Sequence, residues 1–203
     1  MWKAVSLEDW MENRVSELSS VRPVVEEIIA RVGSGGDRAL LELTRRYDGV
    51  DAESILVGEE EVEAAYHAVS DKVIANLIEA DARISRFHEL QKPKELWLEE
   101  VEPGVVLGVR NTPLDRIGAY IPGGRAAYAS TALMCTIPAR VAGVRSICCC
   151  SPPPISPMTL VAMDIAGVDE VYAVGGAQAI AAMALGTESI RPVQKIVGPG
   201  NIY

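Results

Sequence analysis

The sequence predicts an α/β protein, with a mainly parallel sheet preceded by a helical region that carries a β-hairpin. Three observations predict it. From residue 117 onward, short β-prone runs alternate with small-residue helical runs. Three of the strands end in glycine-rich turns: Pro122-Gly123-Gly124, Gly175-Gly176 and Gly198-Pro199-Gly200-Asn201. Most of the charge lies before residue 116, so the front reads as solvated amphipathic helices and the back as a buried layer. The domain reading follows the same division. Residues 1–116 form an N-terminal helical region with part of the first α/β domain, and residues 117–203 form the α/β domain proper.

Residues 21–32 have helical apolar spacing through Val24, Val25, Ile28, Ile29 and Val32, with Pro23 expected in the first turn. Gly33-Ser34-Gly35-Gly36 should end that helix. Asp37 should then cap a second one over 38–47, which stops at Asp48-Gly49. No Lys-Ser or Lys-Thr pair follows these glycines, so they read as a turn and not as a phosphate loop. Residues 54–57 are a short strand candidate, and 59–69 and 71–90 are helices separated at Ser70-Asp71. Glu59, Glu60, Glu61 and Glu63 suit a first turn, where the helix dipole favours carboxylates. Residues 97–102 and 105–112 flank Pro103-Gly104, a hairpin signal. Strands at 117–121, 146–150, 170–174 and 195–197 then alternate with helices at 130–142, 158–166 and 177–185. Such alternation implies right-handed crossovers and a parallel sheet.

Composition narrows the function. The net charge of −9 and the lack of a Lys/Arg block argue against nucleic-acid binding. Trp2 to Trp10 has no signal-peptide core, no apolar run is long enough to span a bilayer, and the expected address is the cytoplasm. Cys135 and the run Cys148-Cys149-Cys150 lack metal-ligand spacing and read as reduced, buried thiols. His67 and His88 lie on charged helices with no nucleophile or carboxylate dyad beside them, so no metal site is assigned. The glycine turns predict a ligand crevice at the carboxyl ends of the strands, where main-chain amides approach a bound group.

The segments RIGAYIPGG, ALMCTIPARVAGV, GVDEVYAVGGAQAIAAMALGTESI and KIVGPGNIY resemble the signature region of histidinol dehydrogenase. GGDRALLELTRRYDGV resembles that family's early helical segment, so the likeness runs from about Val21 onward. The resemblance implies incomplete Rossmann-like domains and two NAD-dependent oxidations of L-histidinol to L-histidine through the aldehyde. It also implies a cytosolic, zinc-dependent homodimer. The residues at the matching motif positions are Tyr120, Gln178 and Asn201, which the resemblance implies are NAD contacts. A ring with a hydroxyl and two amides suit ribose, pyrophosphate or carboxamide. On their own, Tyr120 could close a strand, Gln178 cap a helix and Asn201 serve a turn.

There are departures from the family pattern. Ala129-Ser130-Thr131 stands where Pro-Ser-Ser is usual, Cys148 to Cys150 replaces a valine-rich strand, and Gln194 stands where aspartate is common. The family is roughly twice as long, in units of the usual domain size. Its zinc ligands and Glu-His acid/base pair match positions beyond Tyr203, so no catalytic residue is assigned here. The chain alone is therefore expected to lack dehydrogenase turnover. Its last strand is expected to be an uncovered edge that promotes oligomerisation, with a second copy or a complementing C-terminal half as partner. The alternative reading is a non-catalytic NAD-binding or assembly module. A different aldehyde dehydrogenase finds no support, since Cys135 has no identifiable base.

Overall fold

In the computed structural model, the structure describes residues 6–123 and 127–200. The helical region comprises α1 (Leu7–Asp48), α2 (Glu59–Ala68) and α3 (Asp71–Gln91). The hairpin β1 (Leu96–Glu102) and β2 (Val105–Arg110) follows. Then come β3 (Arg116–Tyr120), α4 (Ala129–Ala142), β4 (Ser146–Cys150), α5 (Pro157–Ile165), β5 (Glu170–Tyr172), α6 (Gly176–Leu185) and β6 (Lys195–Val197). The hairpin is antiparallel, and β3 to β6 form a separate parallel sheet in the order β5-β4-β3-β6. The α/β class and the parallel sheet are as the sequence predicts.

Strand order sets where a ligand can sit. The chain steps outward from β3 to β4 to β5, then α6 carries it back to the far side of β3. The order therefore reverses between β3 and β6, and a crevice opens at the carboxyl ends of strands at such a reversal.

Side chains alternate between the two faces of the sheet. Ile117, Ala119, Ile147 and Cys149 pack with Leu133 and Ile137 of α4, Val161 of α5, Ala65 of α2 and Leu77 of α3. Cys148, Cys150 and Tyr172 pack the other way, on Ile28, Leu40 and Leu43 of α1 and Ala182 and Met183 of α6. Helices from before residue 116 thus cover both faces. The three consecutive cysteines are free and fully buried, and burial pushes their thiols up, so they act as small apolar fillers.

Two expectations about α1, the place of Pro23 and the cap at Asp37, are corrected, while its break falls inside the glycine run that predicts it. Pro23 lies inside the helix and not in its first turn, because the helix begins at Leu7. Gly33, Ser34 and Gly35 stay within the helix, which breaks only at Gly36, with φ 53° and ψ −139°. That positive φ favours glycine, and the Glu188 carboxylate lies in the space a Cβ at Gly36 would enter. The Asp37 amide donates to that same carboxylate at 2.7 Å. The Asp37 side chain does not cap a second helix, as expected, but accepts hydrogen bonds from the Ser189 amide and hydroxyl. The break in α1 is therefore tied to the loop after α6.

Smaller differences have local causes. The candidate strand at 54–57 is reduced to one antiparallel bridge between Leu56 and Tyr172, flanked by Val57 N to Val171 O and Ala173 N to Ile55 O. β5 ends at Tyr172 because Ala173 turns its amide to Ile55. At the amino end of the sheet, Arg116 is 7% exposed and donates to Ser146 Oγ and to the Glu170 carboxylate. Tyr172 and Arg191 add hydrogen bonds to Glu170. Burial alone would raise the Glu170 carboxyl, but the hydrogen bonds from Arg116, Tyr172 and Arg191 outweigh it and hold it down to about 2. The hairpin differs from all of this, since every residue of β1 and β2 is exposed.

Candidate functional site

The turns that follow the parallel strands interlock. A Cβ on Gly198, after β6, would come within 2.2 Å of the Tyr120 carbonyl oxygen at the end of β3. A Cβ on Gly175, after β5, would come within 2.5 Å of Pro152 Cγ, after β4. Pro152 also lies against Gly123, after β3. Glycine is needed at these points because neighbouring turns approach within van der Waals distance, and the result is one continuous rim at the carboxyl edge of the sheet.

Two of the three residues singled out in the sequence meet on that rim. Tyr120, half-buried at the end of β3, accepts a 3.2 Å hydrogen bond on its hydroxyl from the Gly176 amide. Gly176 opens α6 with φ 62°, and a Cβ there would lie 2.6 Å from Gln178 Oε1. Gln178 is 2% exposed. Tyr120 and Gln178 therefore gather around the first turn of α6. The cap residue of that turn, Gly175, offers no side chain to its free amides. Asn201 lies outside the described residues, as do Gly124 and Arg125 of the turn after β3. A small cavity of about 20 Å³ also opens on the rim between Pro122, Gly123, Ser151, Pro152, Ser156 and Thr159. It has room for about one water molecule.

The end of α1 reaches the same corner. Asp48 Oδ2 and Thr44 Oγ1 are buried and have no hydrogen-bond partner. The two residues are one turn apart and continue the inward stripe of Leu40 and Leu43, both fully buried. Burial pushes the Asp48 carboxyl up. Burial also raises the Tyr120 phenol; the Gly176 hydrogen bond opposes this, and the Asp48 charge adds to the rise. The sequence reading used Asp48 only as a helix stop. The missed signal was a carboxylate placed on an apolar helical stripe.

His67 is exposed, and His88 Nδ1 lies 2.8 Å from Gln91 Oε1. Among the described residues, no group of three or more His, Cys, Asp or Glu could hold a metal ion, so they do not fit a zinc site. Gln194 accepts hydrogen bonds from the Asp115 and Arg116 amides at 2.6 and 3.2 Å, which fixes the turn into β3. Among the described residues, no helix is long and apolar enough to cross a membrane.

Comparison with known proteins identifies the family. The histidinol dehydrogenase family profile matches residues 11–203. The histidinol dehydrogenase of Methanothermobacter thermautotrophicus is 50% identical over 201 residues, covering 97% of this chain and 47% of that protein. That of Geobacter sulfurreducens is 50% identical over 189 residues, covering 90% of this chain and 44% of that protein. The crystal structure of histidinol dehydrogenase from Elizabethkingia anophelis superposes with a TM-score of 0.86 at 34% identity. It covers 99% of this chain and 44% of that one. The chain spans about half the length of the relatives it matches. Sequence shared along nearly its whole extent, on the same backbone, places the chain in the histidinol dehydrogenase family.

Proposed function

We infer that the chain is the cofactor-holding part of a histidinol dehydrogenase, which oxidises L-histidinol to L-histidine through the aldehyde in two NAD-dependent steps. The observation that carries this reading is the meeting of Tyr120 and Gln178 around Gly176 at the carboxyl edge of the sheet. When bound, NAD supplies the hydride acceptor. The residues of this chain bind and orient. The Tyr120 hydroxyl and the Gln178 amide present donors and acceptors, the free amides of α6 favour negative charge, and Asn201 is assigned as a third contact. The unpartnered buried oxygens of Asp48 and Thr44 support a polar ligand at this corner.

No step is assigned to zinc, because the described residues offer it no ligand set. The chain alone is therefore expected to bind NAD without turning over histidinol. The partner assigned is a second copy of the chain, supported by the exposed apolar hairpin. The four free thiols support a reducing, cytoplasmic setting.

Calorimetric titration of the 203-residue chain with NAD tests this reading. Saturable binding that weakens about tenfold in Gln178→Ala and Tyr120→Phe is expected, from the loss of a hydrogen bond to each. Absence of saturable binding to the wild-type chain would refute it. NADH formation from histidinol by the chain with zinc and NAD would refute the expected lack of turnover.

A further inference from the structure

Asp48 is placed where a carboxylate is least favoured. It sits in the last turn of α1, where the helix dipole opposes negative charge. Its Oδ2 is buried without a donor. Cations near it in sequence are engaged elsewhere: Arg45 lies 3.7 Å from Asp51, and the Arg46 guanidinium stacks over Tyr47. Thr44, one turn earlier and fully buried, also leaves its hydroxyl without a partner. Buried polar atoms are nearly always satisfied, and two such exceptions on one helical stripe call for a donor from outside the chain.

The chemistry of that donor is constrained. A carboxylate only accepts, so the group must donate. A phosphate would be repelled by like charge. A metal ion lacks a ligand set among the described residues. Neighbouring hydroxyls on adjacent carbons fit, since they can donate to both oxygens of one carboxylate, and acidic side chains hold ribose in this way in dinucleotide folds.

We propose that Asp48 receives a ribose diol of the bound dinucleotide, with the Thr44 hydroxyl completing the polar wall beside Tyr120. This rests on the NAD-binding reading given above. Asp48 is then a binding residue whose unfavourable position in the unliganded protein is relieved by ligand.

The test compares the full chain with Asp48→Asn and Asp48→Ala, by NAD titration and by thermal unfolding without ligand. NAD affinity is expected to fall at least about tenfold in both variants, as for hydrogen bonds to a charged group. The unliganded melting temperature is expected to stay level or rise, because a carboxylate with one oxygen buried and without a donor has been removed. Titrations with AMP and with nicotinamide mononucleotide assign the diol: the half whose binding depends on Asp48 carries it. If Asp48→Asn binds NAD as the wild type does, the proposal is overturned while the NAD reading stands. If the variants bind weakly and also melt well below the wild type, Asp48 is structural and the proposal is overturned. If the wild type binds no NAD, the NAD reading fails and this proposal fails with it.

Discussion

The parallel sheet and the hairpin are built from similar residues and end in opposite surroundings. Cys148, Cys149 and Cys150 in β4 are all fully buried, and Ile117 in β3 is 3% exposed. Trp97, Leu98, Val106 and Leu107 in the hairpin are all at least 45% exposed. The difference lies in the connections. Each parallel crossover carries a helix that folds back onto the sheet, so the strands bring their own cover. A two-residue turn at Pro103-Gly104 brings none. Apolar content therefore does not by itself determine burial in a strand; the crossover helices, together with α1, α2 and α3, do.

This contrast can be broken by substitution, and the largest effect is expected at the buried ion pair. Arg116→Ala leaves Glu170 without its main partner and should lower stability by about 3–5 kcal/mol in urea unfolding. A loss below about 1 kcal/mol would mean that the amino end of the sheet contributes no more than a surface pair. Leu43→Ala removes a fully buried side chain between α1 and the sheet and should lower stability by about 2–5 kcal/mol in the same assay.

Acid sharpens the comparison further. Glu170 is held down to about 2, below the usual glutamate value of about 4.3. Its stabilisation is complete above that ordinary value and is lost as pH falls through about 2. The wild type should lose more stability than Glu170→Gln across this window in acid titration followed by circular dichroism. Equal losses would remove Glu170 from the account.

The smallest effect is expected in the hairpin. Leu98→Ala should change the stability of the isolated protomer by less than about 0.5 kcal/mol, because Leu98 is 63% exposed. A much larger loss that grows with protein concentration would identify the hairpin as covered by a second copy.

Much of the sheet could be read from sequence because its signals are local. Glycine turns after β3, β5 and β6 and the small-residue runs between strands mark each element within a few residues. The buried role of Cys148 to Cys150 was legible from the strand in which they lie. The α1 break was legible too, in the run Gly33 to Gly36, but its tie to Glu188 was not, because a pairing across about 150 residues leaves no local pattern. The site divides in the same way. Tyr120 and Gln178 stand at glycine turns and carry motif resemblance. Asp48 belongs to the corner only because α1 folds across the sheet, so its sequence neighbours report a helix end and nothing more.

The single break in α1 gives that helix a lever. From Gly36 to Asp48 the rod is roughly 18 Å long at 1.5 Å per residue. A change of about 10° in its direction would swing the far end by about 3 Å, on the order of a hydrogen-bond length. The grip of Glu188 on the Asp37 amide therefore aims a carboxylate more than three helical turns away. Loosening that joint would misalign the corner without touching any residue in it.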